Sequence, residues 1–169
     1  MKNESKKIIH PIPPLFWDNS KVLILGSFPS VKSRENNFYY GHPQNRFWKV
    51  LACLFDQPVP NTVEEKKAFL YRNHIAIWDV IESCDIIGSS DSSIKNVVVT
   101  DIRSLLDKTE IKAVFANGNL AKKLYDQYAF PLTGIEAVKL PSTSPANAQY
   151  SLEKLTKNWE IICKSIEKR

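Results

Sequence analysis

Apolar residues gather in short runs, each ended by a residue that breaks regular structure. Lys21–Leu25 (KVLIL) is closed by Gly26, and Ile75–Val80 (IAIWDV) leads into polar sequence. Lys112–Ala116 (KAVFA) breaks at Asn117-Gly118, and Ala137–Leu140 is cut by Pro141. Runs of this length without polar alternation are what strands covered on both faces require. Between them the spacing turns helical. Asn45–Phe55 carries apolar residues at 47, 50, 51, 54 and 55, and a second helix is expected over Thr62–Arg72. A short helix over Thr100–Asp107, capped by Thr100 or Asp101, and another near Leu120–Tyr128 follow. The last helix starts near Ser151, with Leu152, Leu155, Trp159, Ile162 and Ile166 on one face. Val97–Val99 can open a further element. Residues 27 to 44 read as one long loop, His10–Trp17 as an ordered loop rich in proline and aromatics, and Gly88-Ser89-Ser90 as part of a polar loop.

Strands that alternate with helices predict an α/β fold, a three-layer α/β/α domain with a short, mostly parallel, four-stranded central sheet. In such sheets a ligand sits beyond the carboxyl ends of the strands. Those ends are Gly26-Ser27-Phe28-Pro29, Asp79, Asn117-Gly118 and the loop Pro141-Ser142-Thr143-Ser144-Pro145, so function is sought there.

Length and composition narrow the class. The 169 residues, 43% hydrophobic and 24% charged, fit one globular domain over 1–169, with 1–8 as a flexible tail. No apolar run approaches the length of a membrane span, and the lysine-rich start lacks the apolar stretch of a secretory signal. A cytoplasmic protein without a membrane partner is expected. The net charge of +5 suits a phosphate-binding surface, although the lysines are scattered. Cys53, Cys84 and Cys163 are odd in number and far apart. That spacing suits buried structural thiols, not a disulfide framework or a metal cluster.

Three stretches carry candidate chemistry. Gly26-Ser27-Phe28-Pro29 places a glycine directly after a strand, where backbone N–H groups approach a ligand closely or where the chain simply turns. His42-Pro43-Gln44-Asn45-Arg46-Phe47-Trp48 runs from polar to aromatic at a helix start. There Asn45 can hold a water, cap the helix, or do both, and His42 can hydrogen-bond the loop or meet a phosphate. Ser142, Thr143 and Ser144, between Pro141 and Pro145, make a stiff loop of hydroxyls suited to phosphate contacts.

The stretch LILGSFPSVKSRENNFYYGHPQNRFWKVLACLF resembles the first motif of the uracil-DNA glycosylase superfamily. It is most similar to the hypoxanthine-DNA (deoxyinosine) glycosylase branch, and shares HPxNRFWKV with the mismatch-specific uracil/thymine branch. IAIWDVIESC and VFANG resemble the middle strands, and LPSTSPANAQYSLEKL resembles the second motif. The matches run in order over roughly residues 20 to 165.

The resemblance implies hydrolysis of the N-glycosidic bond of a deaminated base, hypoxanthine with uracil as a second candidate, flipped out of DNA. Many superfamily members carry Asp or Asn two residues after the first glycine to orient the water. Phe28 stands there and cannot do so; the hypoxanthine branch, which also lacks a polar residue there, uses the asparagine of its HPxN stretch, and the resemblance places that role on Asn45. Tyr40 matches the aromatic that stacks on the flipped base. Gly26, Ser27, Phe28 and Pro29 border the pocket, with His42 beside them. Asp79 and Asn117 fall where related enzymes read the base edge; at Asp79 a carboxylate accepts from the N1–H of hypoxanthine, and a protonated one donates to a carbonyl. Ser142, Thr143, Ser144, Pro145 and Asn147 fall in the loop that presses on the minor groove. The apolar wedge expected there is absent, since Ala146 and Asn147 are small or polar. With no catalytic lysine apparent, simple hydrolysis by a monomer on DNA containing a deaminated base is expected. The reaction that the resemblance implies needs no metal and no cofactor, which agrees with the cysteine spacing. A DNA-binding member of the fold without catalysis is the alternative.

Overall fold

Val22, Leu23, Ile24 and Leu25 are each fully buried, so this run is covered on both faces. The computed structural model, which describes residues 4–167, shows how. Its strands are β1 (Lys6–Ile9), β2 (Val22–Gly26), β3 (Ile75–Asp79), β4 (Ile81–Ile86), β5 (Lys95–Val99), β6 (Ala113–Asn117) and β7 (Ala137–Leu140). Its α-helices are α1 (Val31–Asn36), α2 (Phe47–Phe55), α3 (Val63–Arg72), α4 (Ile102–Asp107), α5 (Asn119–Leu124), α6 (Phe130–Thr133), α7 (Leu152–Trp159) and α8 (Ile161–Glu167). The four expected strands form one parallel sheet in the order β3-β2-β6-β7.

Side chains alternate across this sheet. Val22, Ile24, Ile75, Ile77 and Phe115 face a core built with Phe47, Leu51, Phe69, Leu155 and Trp159, from α2, α3 and α7. Leu23, Leu25, Ala76, Val114 and Ala116 face a second core with Ile102, Leu105, Leu124 and Tyr125. The architecture is therefore the three-layer α/β/α arrangement with a four-stranded parallel sheet.

Helix starts follow the capping residues. Thr62 and Glu65 form a capping box on α3, Asp101 caps α4, and Ser151 caps α7. The helix expected near Leu120–Tyr128 instead runs through a π-turn over Tyr125–Ala129 into α6. The last helix is interrupted at Glu160.

Some expectations need correction. A second sheet, β1-β4-β5, is antiparallel; of its strands only β5 coincides with an expected element, at Val97–Val99, which end that strand and do not open it. β4 follows β3 after one residue, Val80, so the same stretch of chain serves both sheets. β1 takes Lys6, Lys7 and Ile8 out of the expected flexible tail, pairing Lys6 with Ile86 and Ile9 with Ser83; residues 1–3 of that tail lie outside the described residues. The expected loop over 27 to 44 contains α1, capped by the Ser30 side chain. Cys53 is exposed rather than buried, because it falls on the outer side of α2, while Cys84 is buried. Among the described residues, no helix is long and apolar enough to cross a membrane.

Candidate active site

Because the four central strands are parallel, their carboxyl ends gather at one edge. A cleft of about 1050 Å³ opens there. The catalytic, substrate-binding and DNA-binding candidates named from the sequence all line it: Gly26, Ser27, Phe28, Pro29, Tyr40, His42, Asn45, Asp79, Asn117, Ser142, Thr143, Ser144, Pro145 and Asn147. A separate surface depression beside Cys53, Leu152 and Glu160 contains none of them.

Asn45 stands just before α2. Its Oδ1 accepts the Phe47 N–H at 3.0 Å and the Thr143 hydroxyl at 2.9 Å. The capping expectation is not met, because Arg46 holds the cap position of α2 and no side chain caps the helix; Asn45 stands one residue earlier, in the cleft, and its Oδ1 braces the first turn through the Phe47 N–H. The two bonds occupy the carbonyl end of the amide. Nδ2 takes no part in them and is a donor for the cleft.

Thr143 is fully buried and joins three segments. Its hydroxyl also accepts from Asn117 Nδ2 at 3.1 Å, its N–H donates to Asn117 Oδ1 at 3.1 Å, and its carbonyl accepts from the Arg46 N–H. Asn117, expected at the base edge, thus spends both ends of its amide on this loop and retains one N–H and one lone pair. Arg46 donates from its guanidinium to the carbonyls of Ser144 at 2.9 Å, Asn147 at 3.0 Å and Tyr150. Its neighbour position was legible, but this clamp was not.

The serines of the loop are oriented by backbone. Ser142 Oγ accepts from the Ser144 N–H, and Ser144 Oγ accepts from the Ala146 N–H. Each hydroxyl proton remains available to an acceptor such as a phosphate oxygen. Asn147 donates to the Ser142 carbonyl and closes the loop on itself. His42 Nδ1 accepts from the Gln44 N–H at 3.1 Å, which leaves the ring proton on Nε2.

The end of the cleft around Tyr40 and Asp79 is tighter. Tyr40 is held at φ 54°, a conformation that costs a non-glycine residue about 1–3 kcal/mol. Its ring stacks on Phe47 with centroids 3.8 Å apart and planes at 10°, so one face is covered. The Tyr40 hydroxyl is buried without a partner of hydrogen-bonding geometry. Burial, and after it the nearby Asp79 carboxylate, push this phenol well above its ordinary range; Asn117 opposes the shift. Asp79 is buried, and its Oδ1 lies against the Gly26 α-carbon: a Cβ on Gly26 would come within 2.4 Å of that oxygen. That close approach is why a glycine must end β2.

Asp79 has a partner that sequence reasoning missed. His10 Nε2 lies 2.7 Å from Asp79 Oδ2, with side chains only 3% and 5% exposed. β1 runs antiparallel to β4, so its carboxyl end returns to the start of β4, next to Asp79. The His10 N–H donates to the Glu82 carbonyl and fixes that return. Phe28 packs edge-on to the His10 ring and lies under the Arg34 guanidinium, which makes it a wall of the cleft. Among the described residues no group of three His, Cys, Asp or Glu side chains is placed to hold a metal ion.

Known proteins are similar to this chain in sequence and in fold. The family model described as Uracil DNA glycosylase superfamily matches residues 13–164. A hypoxanthine DNA glycosylase of Methanosarcina acetivorans is 32% identical over 152 residues, which cover 89% of this chain and 94% of that protein. One of Methanosarcina barkeri is 32% identical over 149 residues, covering 87% and 92%. A solution NMR structure from Methanosarcina acetivorans, of a protein assigned provisionally to the uracil DNA glycosylases, superposes with a TM-score of 0.81. It is 30% identical and covers 95% of this chain and 100% of that one. The chain belongs to the uracil DNA glycosylase superfamily.

Proposed function

We propose that this protein is a monofunctional DNA glycosylase of base-excision repair. It acts as a monomer on hypoxanthine in DNA, with uracil as a second substrate, and leaves an abasic site. The relatives' name supports the choice of hypoxanthine. The observation that carries the reaction is the Asn45 amide, whose carbonyl end is locked by Phe47 and Thr143 while Nδ2 is left for the cleft.

The target base is stacked inside the duplex, so it must first be extruded, at a cost of a few kcal/mol. The Ser142 and Ser144 hydroxyls and the Arg46-clamped loop receive the flanking phosphates. Within the cleft the base meets Tyr40, Phe28 and Asp79. Asn45 Nδ2 donates to a water and holds its oxygen towards the sugar C1′. As the C1′–N bond breaks, its electron pair leaves with the base and the water oxygen bonds to C1′. The water's surplus proton passes through solvent and a proton returns to the departing base anion, so the base is released as the neutral heterocycle. Positioning a water in this way removes the entropic cost of bringing it to the reacting carbon. His42, with its ring proton on Nε2, stands ready to donate to the departing base or to a phosphate.

Purified protein incubated with duplexes containing deoxyinosine or deoxyuridine should give strand breaks only after alkali. Breaks without alkali would overturn the monofunctional reading. Absence of abasic sites with every deaminated base would overturn the glycosylase reading, and tight binding without base release would return the protein to a DNA-binding role.

A further inference from the structure

Asp79 is placed to read the base, but a carboxylate alone can rotate and present either oxygen. His10 removes that freedom. Its Nδ1 accepts the Ile12 N–H at 3.2 Å, so the ring proton sits on Nε2. Nε2 donates to Asp79 Oδ2 at 2.7 Å. The ring is packed edge-on by Phe28 at 5.8 Å and flanked by the tilted Tyr39 ring at 5.9 Å. Oδ1 is left against Gly26, on the cleft side. The other ionisable groups close to this carboxylate are the phenols of Tyr39 and Tyr40, both kept protonated by burial.

Deamination changes one feature in the same way in both parent bases. In adenine, ring N1 is a lone-pair acceptor; in hypoxanthine it carries a proton. In cytosine, ring N3 is an acceptor; in uracil it carries a proton. A fixed acceptor facing that ring atom therefore bonds either deaminated base and meets a lone pair on either parent. An unpaired buried polar group in the wrong complex gives discrimination that an apolar pocket cannot. We propose that His10 is the positioning residue that makes Asp79 a detector of deamination, by locking one carboxylate oxygen and presenting the other to the new ring N–H. This rests on the assignment of Asp79 to the base edge.

Four variants test it: His10→Phe, His10→Gln, Asp79→Asn and the double His10→Phe/Asp79→Asn. Each is measured for kcat/KM on deoxyinosine DNA and for Kd on DNA carrying a tetrahydrofuran abasic analogue, which has no base to read. His10→Phe should lose about tenfold or more in kcat/KM, with abasic-DNA binding unchanged within about twofold. His10→Gln, which keeps an N–H donor, should recover most of the loss. In the Asp79→Asn background, His10→Phe should cost less than about twofold more, because coupled residues are not additive. Equal losses of excision and abasic binding, or no rescue by Gln, would mean that His10 merely supports the fold and would overturn the proposal. An active His10→Phe beside an inactive Asp79→Asn would overturn the role of His10 alone. Full activity of Asp79→Asn would remove Asp79 from the base edge and the proposal with it.

Discussion

The Thr143 hydroxyl donates to Asn45 Oδ1 at 2.9 Å across 98 residues of sequence, and so joins the two motif loops at the cleft. Everything that orients the Asn45 amide passes through this bond and the Phe47 N–H. The same threonine carries the Asn117 amide, so its position ties the end of β6 to both loops.

Thr143→Val keeps the shape of the side chain and deletes the hydroxyl. It leaves Asn45 and Asn117 short of a partner, which should lower stability by about 1–3 kcal/mol and cut excision by more than the loss of folded protein explains. Thr143→Ser should keep both. Urea denaturation together with single-turnover rates separates the two effects.

Arg46 donates to the carbonyls of Ser144, Asn147 and Tyr150. A hydrogen bond from a charged group is worth about 1.5–3 kcal/mol, so Arg46→Ala should destabilise the protein by at least about 2 kcal/mol. Arg46→Lys supplies a point charge that cannot span the three oxygens, and should rescue little of the loss. Both should weaken binding to DNA, read by fluorescence anisotropy at fixed salt.

Gly26→Ala should abolish excision while the sheet survives. The added methyl would stand 2.4 Å from Asp79 Oδ1 and 3.2 Å from the Tyr40 hydroxyl, so the carboxylate must leave its place. Loss of activity with an unchanged far-ultraviolet circular dichroism spectrum is the expected result.

The fold should weaken in alkali. Burial raises the Tyr39 and Tyr40 phenols above the ordinary value of 10.0. Above pH about 10 the unfolded chain has lost those protons while the native state keeps them, so unfolding releases protons and stability falls as pH rises. Below pH about 10 both states hold the protons and the contribution is fully present. With both residues the slope should reach about 2.7 kcal/mol per pH unit. Tyr39 donates to the Pro13 carbonyl at 2.9 Å, so Tyr39→Phe should also lower stability at neutral pH while halving the alkaline slope. Urea midpoints from pH 8 to 11 measure both.

The central strands were legible because burial on both faces forces unbroken apolar runs, as in KVLIL and KAVFA. The second sheet was not. β1 is mostly exposed, and β4 places exposed Glu82, buried Ser83 and half-buried Asp85 among its apolar residues, so neither shows a continuous apolar run. α1 lacks an apolar stripe and hides in polar sequence; Ser30 was its one sequence signal. Gly26, Asp79, Asn117 and the Ser142–Ser144 loop showed themselves as punctuation at strand ends, whereas Tyr40 and the catalytic role of Asn45 were legible only through the family resemblance. His10 could not, because its partner lies 69 residues away and only the return of β1 along β4 brings them together. Arg46 was hidden for the same reason: its partners are backbone carbonyls, which carry no sequence signature.

Release of free hypoxanthine from a deoxyinosine duplex, followed by chromatography in single turnover, tests the central claim most directly. Wild-type protein should release the base and leave an alkali-labile site. Asn45→Ala should slow release at least about tenfold while lowering stability by about 1–3 kcal/mol through the lost acceptor for the Phe47 N–H and the Thr143 hydroxyl. No free hypoxanthine from wild type, or an Asn45→Ala rate equal to wild type, would contradict the account.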